Sequence, residues 1–375
     1  MEESKLTSTW RPRRALACGV CIVAIFAVGD RADAHPVSLS RAKVIVHSDH
    51  VDVTIEAPCE DLLHYGLIPQ HDDGVYLVSE IRPSAAKYAD MLRDGLILRD
   101  AAGRRLKAEI RSTETTAPSD DQAKRRLSTV WETVEIRYAA NDKTPLDFIT
   151  FQHRPPLTTQ ILLTRVGATV QKAGADKSRE LVLTSGGNAE TLEFDWGKKA
   201  PEKREKDARA WLGSGRFNLV HAILETDARG ASLRVVVPLS VSETWRPIQR
   251  EKEDTLSVDE QAGVIEFWRD LVVRSFAVKV DGEISTPRLE DIALIGPATS
   301  ERSVERAAGP IGFYSGRIVA VLRLSDNRDV KSVNLTWKLL NDAVLAAHVL
   351  VIEGGEATEI VASRYTPDVK WRKSN

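Results

Sequence analysis

Cysteine is almost missing from this chain of 375 residues, which holds three. Cys18 and Cys21 have the C-x-x-C spacing of a redox or zinc motif, but both fall in a stretch that reads as a removable leader. Only Cys59 lies beyond it, which excludes an intrachain disulfide in the mature chain and suits a small buried hydrophobe better than a reactive thiol. Long apolar runs are missing after the leader as well. The longest, Val344 to Ile352, is interrupted by His348 and fits a buried strand, whereas a bilayer span needs about 20 residues. Neither sign of charge is in excess, with 52 Lys and Arg against 54 Asp and Glu. That balance argues against a nucleic-acid partner, which favours a basic chain. There is no G-x-S-x-G elbow, no phosphate-cradling glycine loop with its lysine, no H-E-x-x-H and no dinucleotide fingerprint. The chain reads as non-catalytic, the alternative being an enzyme assembled from dispersed residues.

What is present begins with the leader. Arg11, Arg13 and Arg14 form a basic flank, Ala15 to Gly29 an uncharged apolar run shorter than a membrane span, and Ala32-Asp33-Ala34 a small-x-small cleavage pattern. Cleavage there makes His35 the first residue. The expectation is a periplasmic or secreted protein with no integral membrane segment once residues 1–34 are removed.

Periodicity then predicts a hairpin, with Ala42, Val44 and Val46 alternating against Val51, Val53 and Ile55 around a Ser48-Asp49 turn. A two-residue loop pairs Val46 with Val51 and sets His47 and His50 on the opposite face. Ser84 is positioned to cap a short helix ended by Gly95, and Leu96 to Leu98 follows as a strand. Arg111 to Arg126, polar throughout, reads as a loop. Trp131 to Tyr138, Phe148 to Phe151, Ile161 to Val166 and Leu181 to Thr184 read as strands. The same order then recurs 175 to 185 residues later. Val220 to Leu224 and Leu233 to Val237 make a hairpin, Ser257 to Glu260 a capping box and Phe276 to Val280 a strand into an Asp281-Gly282 turn. Ile318 to Leu324, Val333 to Trp337, His348 to Ile352 and Ile360 to Ala362 close the set. The expectation is a mainly β protein of two tandem β-sandwich-like, immunoglobulin-like domains, each with one short inserted α-helix, spanning 35–197 and 215–375. The charged stretch 198–214 joins them as a solvated linker.

His35-Pro36-Val37-Ser38-Leu39-Ser40, the hairpin into Cys59-Glu60-Asp61-Leu62-Leu63, the helix at Ser84 to Asp94 and the strand with its Gly103 turn together resemble the extracytoplasmic N-terminal domain of HupE/UreJ-like membrane proteins. The likeness covers Ala34 to Trp196 and, more faintly, the second half. It implies a β-rich fold, an export route and an association with metal, since some members of that family are nickel permeases. The family's membrane bundle has no counterpart in this sequence, so transport is not implied.

The best chemical constellation is His35, His47 and His50. A free α-amine and imidazole at His35 form a chelating pair suited to copper or nickel, and His47 and His50 are cross-strand neighbours able to share one divalent transition metal. Asp49 or Asp52 is placed to complete the shell or orient an imidazole. The bland reading is that histidines beside a turn are solvated polar residues. His64 and His71 make a weaker pair; His153 reads as a strand exit stiffened by prolines, and His221 and His348 as packing or edge residues. Three functions fit: a binding or scaffold protein with a protein partner in the cell envelope, a periplasmic nickel- or copper-binding accessory protein, or a carbohydrate-binding protein using Trp245, Trp211 and Tyr65.

Overall fold

The computed structural model describes residues 39–155, 164–197, 216–227, 229–301, 307–326, 329–353 and 356–373. The expected leader with His35, the linker 198–214 and Trp211 lie outside the described residues. The first half runs β1 (Leu39–Val46), β2 (His50–Pro58), β3 (Val75–Leu77), helix α1 (Val78–Gly95), β4 (Leu96–Arg99), β5 (Lys107–Thr115), β6 (Lys124–Arg126), β7 (Trp131–Ala139), β8 (Phe148–His153), β9 (Arg165–Lys172), β10 (Ser178–Thr184) and β11 (Glu190–Glu193). The second runs β12 (His221–Asp227), β13 (Gly230–Pro238), β14 (Thr255–Leu256), helix α2 (Val258–Arg274), β15 (Phe276–Val280), β16 (Glu283–Ser285) and β17 (Arg288–Ile295). It continues with β18 (Ile311–Gly312), β19 (Arg317–Asp326), β20 (Ser332–Trp337), β21 (Ala346–Glu353), β22 (Glu356–Ser363) and β23 (Asp368–Arg372).

The chain is mainly β, with two six-stranded sheets in tandem. Their strand orders, β10-β9-β1-β2-β7-β5 and β22-β21-β12-β13-β19-β17, agree position for position. So do the single parallel pairings, β1 with β9 and β12 with β21, and a bulge that breaks register between the last two strands of each. The smaller sheets β11-β8-β4 and β23-β20-β15 also agree, the latter extended by β16. Strand β2 and helix α1 begin 180 residues before β13 and α2.

Alternation explains the sheets. In β1 and β2 every second side chain is buried, with Val44, Val46, Val51, Val53 and Ile55 at the core face, and the register pairs Val46 with Val51. The long helix covers part of that face and the small sheet the rest, so Ile81 and Tyr88 of α1 and Ile149 and Phe151 of β8 share one core. A separate core in the second half joins Val235, Trp268 and Trp337 in the same way. Each fully buried aliphatic side chain contributes about 1.5–3 kcal/mol. No helix among the described residues is long and apolar enough to cross a membrane.

Three expected elements differ. Helix α1 starts at Val78, not Ser84, because the Glu80 carboxylate accepts the Leu77 amide at 2.8 Å, the half of a capping box that needs no hydroxyl. Ser84 lies inside the helix and donates to the carbonyl oxygens of Glu80 and Leu67. Gly95 is not left-handed; a Cβ there would stand 3.1 Å from Pro155 Cα, so close approach accounts for it. The stretch 111–126 holds the end of β5 and all of β6. The strand expected over Ile161 to Val166 is β9, beginning at Arg165 and burying Val166, Ala168 and Val170, with 161–163 outside the described residues.

The two halves meet along the outer face of the first small sheet, where Ile97, Arg99, Phe148, Thr150 and Gln152 are buried. Phe217 packs edge-on against Phe148 at 5.8 Å. Arg99 donates from Nε to Asp254 at 2.8 Å and its guanidinium lies 4.3 Å from the Tyr314 ring centroid. Arg105 joins Asp254 at 2.6 Å, Arg154 pairs with Glu253, and Arg216 pairs with Glu193 at 2.9 Å. Gly103, at φ +81, comes so near Gly312 that a Cβ would meet its Cα at 2.4 Å. In the second half the corresponding outer face carries Ala277, Lys279, Asn334 and Lys370, all exposed.

One carboxyl in the first core has no comparable partner. Glu132 is 2% exposed, its Oε2 makes no hydrogen bond among the described residues, and burial pushes it up to about 7. It adjoins Cys59, whose thiol is pushed up to about 12 by burial and then by Glu132 and Asp61. That thiol is an inert core group.

Two outcomes follow from this packing. Asp254→Ala leaves the Arg99 guanidinium buried without its counterion and should lower the unfolding free energy by about 3–5 kcal/mol, read by chemical denaturation. Glu132 binds its proton more tightly folded than unfolded, so its contribution is full below its ordinary value of 4.5 and is lost as pH rises through about 7. The melting temperature of Glu132→Gln should therefore gain on that of the parent between pH 5 and pH 8, and an unchanged difference would contradict the assignment.

Candidate metal centre

The β1–β2 turn leaves His47 and His50 as a directly paired position, with the His47 amide donating to the His50 carbonyl oxygen at 2.8 Å. Their rings stack in parallel, 4.1 Å between centroids and 7° between planes. Asp52, two residues along β2 and so on the same face, completes a group in which one ligand atom from each of the three lies within 4.8 Å of the others. It is the one such His, Cys, Asp or Glu group among the described residues. Sequence reasoning brings His47 and His50 together with either Asp49 or Asp52; the structure separates the two aspartates by role. Asp49 holds His50 Nδ1 at 2.8 Å, while Asp52 Oδ2 faces Nε2 of His50 at 3.3 Å and of His47 at 3.6 Å.

Asp52 is also gripped by Arg137 of β7, Nε to Oδ1 at 2.7 Å and Nη2 to Oδ2 at 3.0 Å. That pairing, opposed by burial, keeps the Asp52 carboxyl below its ordinary range, and the hydrogen bond to His50 does the same for Asp49. Both stay ionised. With Asp49 on Nδ1, Nε2 of His50 faces the Asp52 carboxylate, and a proton or a metal ion between the two would satisfy both. The donor set, two imidazoles and a carboxylate, suits zinc, copper, nickel or iron(II).

Four of the other histidines are otherwise engaged. His71 stacks on Tyr76 and lies 3.5 Å from Glu80, and it shares no donor group with His64. His153 is buried against Thr164 at 2.8 Å, and burial pushes it down to about 4. His348 pairs with Glu359. His221 is fully buried, its Nδ1 against the Leu219 carbonyl at 3.0 Å and its Nε2 against Glu301 at 3.2 Å. Glu301 also accepts from Arg317. Burial pushes the Glu301 carboxyl up, but Arg317 and then His221 outweigh it and leave it well below the ordinary range. Sequence reasoning misses this ionic group, since its members stand 80 and 16 residues apart and nothing local marks them. Trp245 packs edge-on against Trp268, and Tyr65 is tilted against Tyr88.

The second half offers an internal comparison. Asp227 and Gly230 pair at its hairpin tip where His47 and His50 pair in the first, and Ser232 stands opposite Arg323 where Asp52 stands opposite Arg137. The hairpin therefore forms without histidine.

No protein-family model matches the chain, and no curated protein does. Among solved structures it is similar to the conserved domain protein from Bacillus anthracis, 10% identical over 88% of this chain and 82% of that one, with a TM-score of 0.16. So loose a superposition carries no argument about fold or function.

Proposed function

We propose that this chain is a non-catalytic binding protein of the cell envelope that takes one divalent transition metal ion at His47, His50 and Asp52. The observation that carries the reading is the convergence of His50 Nε2, His47 Nε2 and Asp52 Oδ2 on the wet face of a hairpin that its sister builds without them. Asp49 fixes the His50 tautomer in the manner of an outer-shell ligand partner. Placement outside the cytoplasm rests on the leader, and nickel or copper on the family resemblance.

Arg137 opposes loading, because its guanidinium already neutralises Asp52 and repels a second cation. Calorimetry with nickel, copper and zinc should show one ion per chain, bound more weakly as pH falls and protons compete for imidazole. The doubly substituted His47→Ala, His50→Ala protein should lose that ion, and Arg137→Gln should bind it more tightly. No binding, or equal binding by the double variant, removes the proposal.

A protein partner is favoured by a different observation. The edge strands β10 and β22 occupy the same end of the two sheets and expose Val182 by 65% and Val361 by 47%. Free strand edges bearing apolar side chains invite strand addition. Val182→Lys with Val361→Lys should abolish capture of an envelope protein while leaving metal binding unchanged; capture that survives both removes this reading.

A further inference from the structure

Both halves have a concavity between the loop that precedes the long helix and that helix's first turns. In the first half its lining includes Gln70, His71, Asp72 and Glu80. In the second half the equivalent loop and helix enclose about 840 Å³, within the range of small-molecule sites. The helix positions that differ explain the change in shape. Ser84 ties α1 to the Leu67 carbonyl at 3.0 Å and Pro83 precedes it. Their counterparts 180 residues on are Val264, which has no hydroxyl to make that tie, and Gly263.

Gly263 has an ordinary helical backbone, and a Cβ there would meet nothing within 4 Å. Glycine weakens a helix interior relative to alanine, so neither conformation nor packing accounts for it. Its effect is to widen the cavity. The floor is Trp268, 1% exposed and braced edge-on by Trp245 at 5.4 Å; Phe267, Val264 and Ile248 form the walls.

The rim carries Arg246, Gln249, Glu251 and Asp259, all exposed. Among the described residues none of the four uses its side chain in a hydrogen bond or ion pair, although Arg246 lies over Phe267 at 5.4 Å. The remaining charges are engaged. Arg250 pairs with Glu243 at 2.5 Å, and the Glu260 carboxylate accepts the amides of Glu251 and Ser257 at 2.6 and 2.7 Å. An anion entering the cavity meets Glu251 and Asp259, and a cation meets Arg246. A neutral ligand with hydroxyls to donate and accept, and an apolar face to lay against Phe267, satisfies both.

We propose that this cavity binds a neutral saccharide, with Phe267 against its apolar face and Arg246, Gln249, Glu251 and Asp259 on its hydroxyls. The test is a glycan array carrying neutral and acidic glycans, followed by tryptophan-fluorescence titration of the full chain with maltotriose and triacetylchitotriose. The expected result is binding of neutral glycans with a change in tryptophan emission, since the Trp268 ring packs edge-on against Phe267. Gly263→Ala should raise the melting temperature and retain binding, whereas Gly263→Trp should fill the cavity and weaken binding by at least about tenfold. Should Gly263→Trp fail to fold, Arg246→Ala with Asp259→Asn should weaken binding by about tenfold through the rim alone. Silence across the neutral glycans, binding of acidic glycans only, or binding indifferent to the substitutions would overturn the proposal. His47→Ala with His50→Ala should leave saccharide binding untouched, so this site and the metal centre stand or fall separately.

Discussion

The close approach of two backbones, at Gly103 and Gly312, sets the relation between the repeats. Any side chain at Gly103 would collide with Gly312 Cα and with the Asp254 carbonyl oxygen, and its φ of +81 is one that glycine alone adopts at no steric cost. That contact brings Asp254 and Tyr314 onto Arg99, so a guanidinium that would be expensive to bury alone is held between a carboxylate and an aromatic face. The outer face of a three-stranded sheet, otherwise a wet surface, becomes an interior. At the same register in the second half the side chains are Ala277 for Ile97, Lys279 for Arg99 and Asn334 for Thr150, all exposed. A repeat whose free end carries polar groups ends the stack there.

The repeats also divide the remaining surface. In the second large sheet the outer face buries Ile223, Leu350 and Ile352 in one cluster and Val236, Ala293, Ile295 and Val319 in another. The outer face of the first carries Arg41, Lys43, Glu56 and Glu135, all exposed. His47 and His50 stand on the first of these faces, the wetter of the two. The enlarged cavity lies instead in the second half, where α2 is freed from the loop tie that Ser84 makes in α1. One topology thus presents different chemistry at different places, because only positions that the core does not use are free to change.

How much of this was readable from the sequence followed the physics of burial. Strands with one dry face announce themselves, and β1, β2, β7 and β19 lie where alternation puts them. The turn at Asp281-Gly282, with φ of 53 and 87, was legible from the dipeptide. Strand β5 was not, since it is a sheet edge wet on both faces beyond Ile110 and shows no period. Helix α1 begins at Val78 and not at Ser84, because Glu80 supplies the capping bond from inside the helix and a leucine at the cap position leaves no local signal. Two members of the candidate group directly flank the two-residue turn and were legible from the hairpin register; Asp52 was one of two aspartates that spacing could not separate. Arg137 comes from 85 residues away, and Glu301 with Arg317 and His221 from three separate segments. Pairings of that kind are fixed by sheet order, which periodicity does not encode.

The His50 arrangement is not needed to form the hairpin, since its sister forms without it. Asp49 meets one ring nitrogen and Asp52 faces the other, while the His47 ring stacks in parallel on the same side. The sister hairpin resolves the same neighbourhood without conflict: Ser232 replaces the aspartate, and Arg323 pairs outward with Glu290 at 2.9 Å. Natural chains keep local choices consistent with the fold except where function overrides them. The repeat supplies the reference state for that rule within one molecule, since fold, register and opposing arginine are shared and the donors differ. A cation between Nε2 and Oδ2, whether a proton or the divalent ion proposed above, would join donors that the first hairpin has and its sister lacks.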